Sequence, residues 1–197
     1  MGELWKTDDT AAWDAALARY EAVVEAQGVA RLPELDRWYR DELPEKIAGR
    51  KTPHVTHAEL VRLTEWKMAR GVWRARNLAL VRGNDPDEVE RISARAIAKV
   101  PDPRAPIDLL SKLAGVGPAT ASGVASAAAP EVYPFFDELV ARSVPGMESV
   151  AFTPREYARY AEALRERAAR LGPPWTPTAV ERALWAEFGG KAALRKR

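Results

Sequence analysis

Four times in 197 residues the chain repeats the device that opens an α-helix. Thr56 with Glu59, Asp85-Pro86 with Glu88, Thr153-Pro154 with Glu156, and Thr178 with Glu181 each set a small oxygen-bearing side chain three residues ahead of an acid. Proline takes the first helical position in two of them, where its missing N–H costs nothing. Elsewhere "TAAWDAALARYEAVVEAQG" spaces Trp13, Leu17, Tyr20 and Val24 three or four apart before Gly28. "LPELDRWYRDELPEKIAG" predicts a shorter helix with Pro44 as its break or kink. No segment sustains the period-two alternation of a half-buried strand. The chain is therefore predicted to be all-α, with roughly nine to eleven helices. The N-terminal helices are expected to return beside the C-terminal ones, and no linker divides residues 1–197 into two units.

Composition narrows the chemistry. With no cysteine, disulfides, thiolate zinc sites, cysteine nucleophiles and iron–sulfur clusters are excluded. The only histidines, His54 and His57, flank a helix start and argue against a histidine triad or metal site. The first apolar stretch carries charges throughout, so it does not read as a secretory signal. No run approaches the roughly 20 apolar residues of a membrane span, and no membrane partner is expected. A cytoplasmic location is the expectation. Net charge is only +2, so contact with nucleic acid has to come from local clustering. Arg62, Lys67, Arg70, Arg74, Arg76 and Arg82 gather against Glu65 alone, and "KAALRKR" ends the chain.

The most specific stretch is "LAGVGPATASGVASAAAPEVYPFFDELV", Leu113 to Val140. Leu109, Leu110 and Leu113 form an apolar face that stops at Ala114. Gly115-Val116-Gly117 must then turn sharply, and Pro118 starts a helix of small residues that a neighbour can approach closely. Val116 is expected to plug the angle. Amides of Gly115, Gly117, Ala119 and Thr120, left without intrahelical partners at the positive end of a helix dipole, suit a phosphate. A plain αα-hairpin would use the same turn.

The fuller pattern, Leu-x-x-Leu-x-Gly-Val-Gly-x-x-Thr-Ala, resembles the helix-hairpin-helix DNA glycosylase superfamily, the group of endonuclease III, adenine glycosylase and alkylpurine glycosylase. The resemblance spans about Trp66 to Val144 and implies a two-lobed helical fold, a double-stranded DNA partner, a monomer and a nucleoid-associated role in base excision. It also implies an alkali ion, Na+ or K+, held by the carbonyls of Ser111, Leu113 and Val116, with no other cofactor. In that family an aspartate opens the helix after the hairpin, and Asp137 stands 20 positions beyond Gly117, as it does there. A fixed carboxylate can stabilise a sugar with oxocarbenium character and orient water. Aspartate is equally a preferred N-cap, and the residues alone leave both roles open. Ala119 stands where lyase-active members carry a lysine, which implies hydrolysis that leaves an abasic site; Lys112, on the other hairpin helix, is no substitute by position. Glu138-Leu139 departs from the family's small residue followed by His or Asn.

A base drawn out of a duplex needs an aromatic surface, for which Trp66, Trp73, Phe136 and Trp38 are the candidates. Arg70, Arg74 and Arg76 join the hairpin as the expected DNA contacts. The leading expectation is a monofunctional DNA glycosylase using Asp137. The alternatives are a non-catalytic hairpin DNA-binding protein and, more remotely, a helical interaction scaffold.

Overall fold

A computed structural model describes residues 2–192. The described residues form twelve α-helices, a short 3-10 turn at Leu4–Lys6 and a π turn at Trp38–Glu42, and no strand occurs among them. The helices are α1 (Thr10–Ala18), α2 (Tyr20–Glu25), α3 (Leu32–Arg37), α4 (Leu43–Ala48), α5 (His57–Arg70) and α6 (Ala75–Arg82). Then follow α7 (Pro86–Ile97), α8 (Ala105–Leu110), α9 (Pro118–Ala128), α10 (Glu138–Ala141), α11 (Pro154–Leu171) and α12 (Pro177–Phe188). The all-α expectation holds. The last five residues of the basic tail, 193–197, lie outside the described part.

The predicted caps act where the sequence put them, with one exception. Thr56 and Glu59 form a reciprocal capping box at α5, Asp85 accepts from the Glu88 N–H at 2.9 Å, and Thr153 accepts from that of Glu156 at 3.2 Å. Each such cap is worth about 1 kcal/mol. At α12 the cap is Thr176, which accepts from the Ala179 N–H at 3.1 Å. Thr178 and Glu181 are inside the helix and buried, because their face turns to the core. Pro44 does not break its helix. The preceding turn, Trp38–Glu42, widens to a π-helix in which the Leu43 N–H reaches the Trp38 carbonyl, and the rod runs on from Leu32 to Ala48.

One contiguous apolar cluster reaches from Leu4 to Ala186. Helix α1 lies along α12, as expected for the two ends of the chain, and α11 packs on α12. The small residues of α9 let α5 come close: a Cβ on Gly123 would lie 3.1 Å from Leu63, and the Gly123 carbonyl accepts the Tyr39 hydroxyl at 3.0 Å. Tyr39 stacks on Trp66 with ring centroids 3.6 Å apart. No helix among the described residues is long and apolar enough to cross a membrane.

Candidate functional site

Between α8 and α9 the chain turns through Gly115, whose φ of +75° suits glycine, and a Cβ there would lie 2.6 Å from the Asn77 carbonyl. Asn84, at the end of α6, holds the turn from outside. Its Oδ1 accepts the Ala114 N–H at 2.8 Å and its Nδ2 donates to the Ala114 carbonyl at 2.9 Å. Val116 is buried in the corner. Gly117 caps α9 without a side chain, and the N–H groups of Gly117, Ala119 and Thr120 meet no backbone acceptor among the described residues. Thr120 is itself buried.

After α9 the non-helical segment Tyr133–Phe136 is tied to three helices, α9, α11 and α12. The Tyr133 carbonyl accepts Thr178 Oγ1 at 3.0 Å, the Pro134 carbonyl accepts Tyr157 Oη at 3.3 Å, and the Phe135 carbonyl accepts Tyr160 Oη at 2.8 Å. The Phe136 N–H donates to Ser122 Oγ on α9 at 2.9 Å. These bonds place Asp137 at the head of α10. Its Oδ1 accepts the Leu139 and Val140 N–H groups at 2.8 and 3.4 Å, so the cap role is real. Its Oδ2 lies 3.4 Å from Arg70 Nε, an ion pair in which the N–H is not aimed for a hydrogen bond.

Asp137 also lines a cleft of about 520 Å³, together with Gly115, Gly117, Ala119, Thr120 and Phe136. The hairpin turn and the carboxylate thus open on one space, of a size typical for small-molecule sites. Lys67, Arg74, Asn77, Leu139, Arg142 and Phe152 complete much of its lining. Val72 and Phe152, two of the few exposed large apolar side chains, are among its walls. Phe152 meets Phe136 edge-on at 5.1 Å.

Behind Asp137, Arg70 sits in an aromatic box. Its guanidinium lies 4.4 Å from the Trp185 ring, 5.3 Å from Phe135 and 5.6 Å from Trp66. It pairs with Glu181, donates to Tyr20 Oη at 3.2 Å, and so joins a network in which Tyr20 and Trp66 both donate to Asp36 at 2.9 Å. One guanidinium serves two carboxylates. Burial pushes the Glu181 carboxyl up to about 7 despite Arg70, and Asp137 adds to the rise.

Several expected contacts therefore move. Arg70 is 3 % exposed and cannot meet DNA; its length and its two acid partners draw it inside. Trp66 and Trp38 are core residues, one stacked on Tyr39 and the other under Arg62 at 4.6 Å, and neither lines the cleft. Trp73 is exposed beside a smaller hollow of about 270 Å³ that shares Arg70, Gly71 and Lys191 with the main cleft. Phe136 does line the cleft. Arg74 and Arg76 are exposed, whereas Arg62 and Arg82 are bound to Glu34 and Glu65 at 2.9 and 2.8 Å. Of the three hairpin carbonyls, that of Leu113 already accepts the Val116 N–H at 3.1 Å, while those of Ser111 and Val116 accept no backbone N–H among the described residues. Neutral carbonyls of this kind fit a monovalent ion, which would tie the turn together; no cluster of acids or histidines that could hold a metal occurs among the described residues.

The sequence does not bring Phe152 to the cleft, and it suggests a capping role for Glu181 in place of the buried pair with Arg70. Phe152 carried a signal, since it precedes the Thr153 cap with Tyr157 at the fourth helical position, the pattern of a hydrophobic staple. No family model, curated protein or solved structure matches the chain.

Proposed function

We propose that the chain removes a base from double-stranded DNA by hydrolysing its N-glycosidic bond. The observation that carries this reading is that Asp137 and the unpaired amides at the head of α9 line the same cleft. The amides and the exposed Arg74 and Arg76 would hold backbone phosphate, a contact that positions without reading sequence. Phe136, Phe152 and Leu139 offer an apolar surface for an extruded base. Asp137 Oδ2, not used by the cap, would face the cationic sugar as the bond to the base breaks, and water would complete the hydrolysis. With alanine at position 119, the hairpin brings no amine of its own to the sugar.

One observation favours a second reading. Asp137 already spends Oδ1 on two helix amides and has Arg70 beside Oδ2, which is what a purely structural cap would do. On that reading the chain is a DNA-binding module without chemistry. A panel of duplexes carrying alkylated, deaminated or oxidised bases, followed by alkaline cleavage of abasic sites, separates the two. Base release that falls at least about 100-fold in Asp137→Asn supports hydrolysis. DNA binding that Gly117→Asp abolishes and Asp137→Asn leaves intact, with no product from any duplex, supports the module.

A further inference from the structure

The lining of the cleft carries more positive charge than its acids can balance. Apart from the Arg142–Glu138 pair, its charged side chains are Lys67, Arg70, Arg74, Lys191 and Asp137. Arg70 is committed to Asp137 and Glu181. Lys67, Arg74 and Lys191 have no acid partner among the described residues, although Lys191 donates to the Gly71 carbonyl at 2.6 Å. Lys67 lacks even a carbonyl among those residues. It lies one turn before Arg70 on α5, so the two side chains leave the same face of the helix, and Arg70 is the residue that touches Asp137.

We propose that the cleft takes a neutral base bearing a ring carbonyl and turns away a cationic one, with Lys67 as the residue that tells them apart. The inference rests on the hydrolysis proposed above and names its substrate class. When an uncharged base leaves the sugar, it keeps the electron pair of the broken C1′–N bond. The negative charge spreads to its ring carbonyl oxygen; water adds its hydroxyl to C1′, and the remaining proton ends on the base. An ammonium that donates to that carbonyl therefore holds it more strongly as the bond breaks. A base that is already cationic develops no such charge, and it meets three unbalanced cations on its way in.

The Lys67 ammonium is a charge short of partners. Burial, with the charge of Arg74 beside it, brings it down to about 8 from 10.5. At pH 7 about nine chains in ten still carry that charge, partly withdrawn from water, and a ring carbonyl would supply the acceptor it lacks. The aromatic walls fit the same choice. They are Phe135, Phe136 and Phe152, whereas Trp66 and Trp185, whose ring type holds a cation best, have Arg70 over their faces.

The test compares two purines that share a carbonyl at C6 and differ in charge. Duplexes carrying hypoxanthine or 7-methylguanine on a 2′-fluoro sugar, which resists hydrolysis, are titrated with the protein at pH 6, where 7-methylguanine is a cation, and binding is read by fluorescence anisotropy. The hypoxanthine duplex should bind roughly ten-fold more tightly. That preference should fall toward one in Lys67→Met, survive in Lys67→Arg, which keeps the charge, and survive in Lys46→Gln, a surface control. Equal binding by the parent, tighter binding of the cationic base, or a preference unchanged in a Lys67→Met protein with the parent's circular dichroism and melting would overturn the proposal. No base is released in this assay. Discrimination without release from any duplex of the lesion panel therefore refutes the hydrolysis and leaves the charge selection standing, and release without discrimination does the reverse.

Discussion

Arg70 and Arg167 are both buried against tryptophan rings, yet one is held by acids and the other by backbone. Arg167 donates to the Trp5 and Thr7 carbonyls at 2.6 and 2.9 Å, and its one acid partner among the described residues, Asp8, is exposed to water. Burial and the neighbouring Arg170 lower its pKa. For Arg70, burial pulls the same way, but Glu181, Tyr20 and Asp137 outweigh it and hold the guanidinium above the usual arginine range. The backbone-held arginine fastens the N-terminal segment to α11. The acid-held one leaves a carboxylate in excess beside a cleft. A buried cation surrounded by carbonyls is a fastening, whereas one shared between carboxylates sets the electrostatics of the space next to it.

That contrast breaks first at Arg70. Arg70→Met leaves Glu181 buried without its counter-charge and should cost roughly 3–5 kcal/mol in urea unfolding. Arg70→Met combined with Glu181→Leu should regain most of the loss. A single variant as stable as the parent would show that the acids are not what keeps Arg70 inside.

A pH series sharpens the comparison with a smaller effect. Because the folded Glu181 carboxyl titrates near 7 and a free one near 4.5, the folded chain keeps a proton that the unfolded chain has lost. The associated stability is fully present below pH 4.5 and disappears as pH rises through 7. Between pH 5 and 7.5 the parent should lose roughly 2 kcal/mol that Glu181→Gln does not lose. Parallel stability curves for the two proteins would rule out this role for Glu181.

The smallest effect belongs to the backbone-held arginine. Arg167→Met should cost about 2 kcal/mol, with faster amide exchange confined to the N-terminal segment and α1, because it orphans buried carbonyls while the acid it leaves, Asp8, is in water. Exchange that spreads to the Tyr133–Phe136 segment would show the two arginines to be one system.

The local parts of this architecture were legible in the chain itself. Caps at Thr56, Asp85 and Thr153, the turn at Gly115-Val116-Gly117 and the capping bonds of Asp137 all depend on neighbours within a few residues, so spacing alone reveals them, whereas the long-range bonds that bring Asp137 to the cleft do not show in it. The Arg70–Glu181 pair does not work that way. Its members are 111 residues apart, and each reads in isolation as a surface charge on an amphipathic helix. Trp66 misled for the same reason: helical spacing shows that it faces inward, but only its stacking on Tyr39, brought in by α3 and the π turn, shows that it is closed off. Position 181 looked like a capping acid because Thr178 precedes it by three, and Thr176 claimed the helix end instead.

Asn84 grips Ala114 by both its N–H and its C=O, so the glycine corner cannot open unless the end of α6 lets go. The shape of the corner is fixed by the protein alone. A phosphate docking there would lose its own freedom of movement but would have no loose loop to freeze into place, and more of the contact energy would survive as affinity.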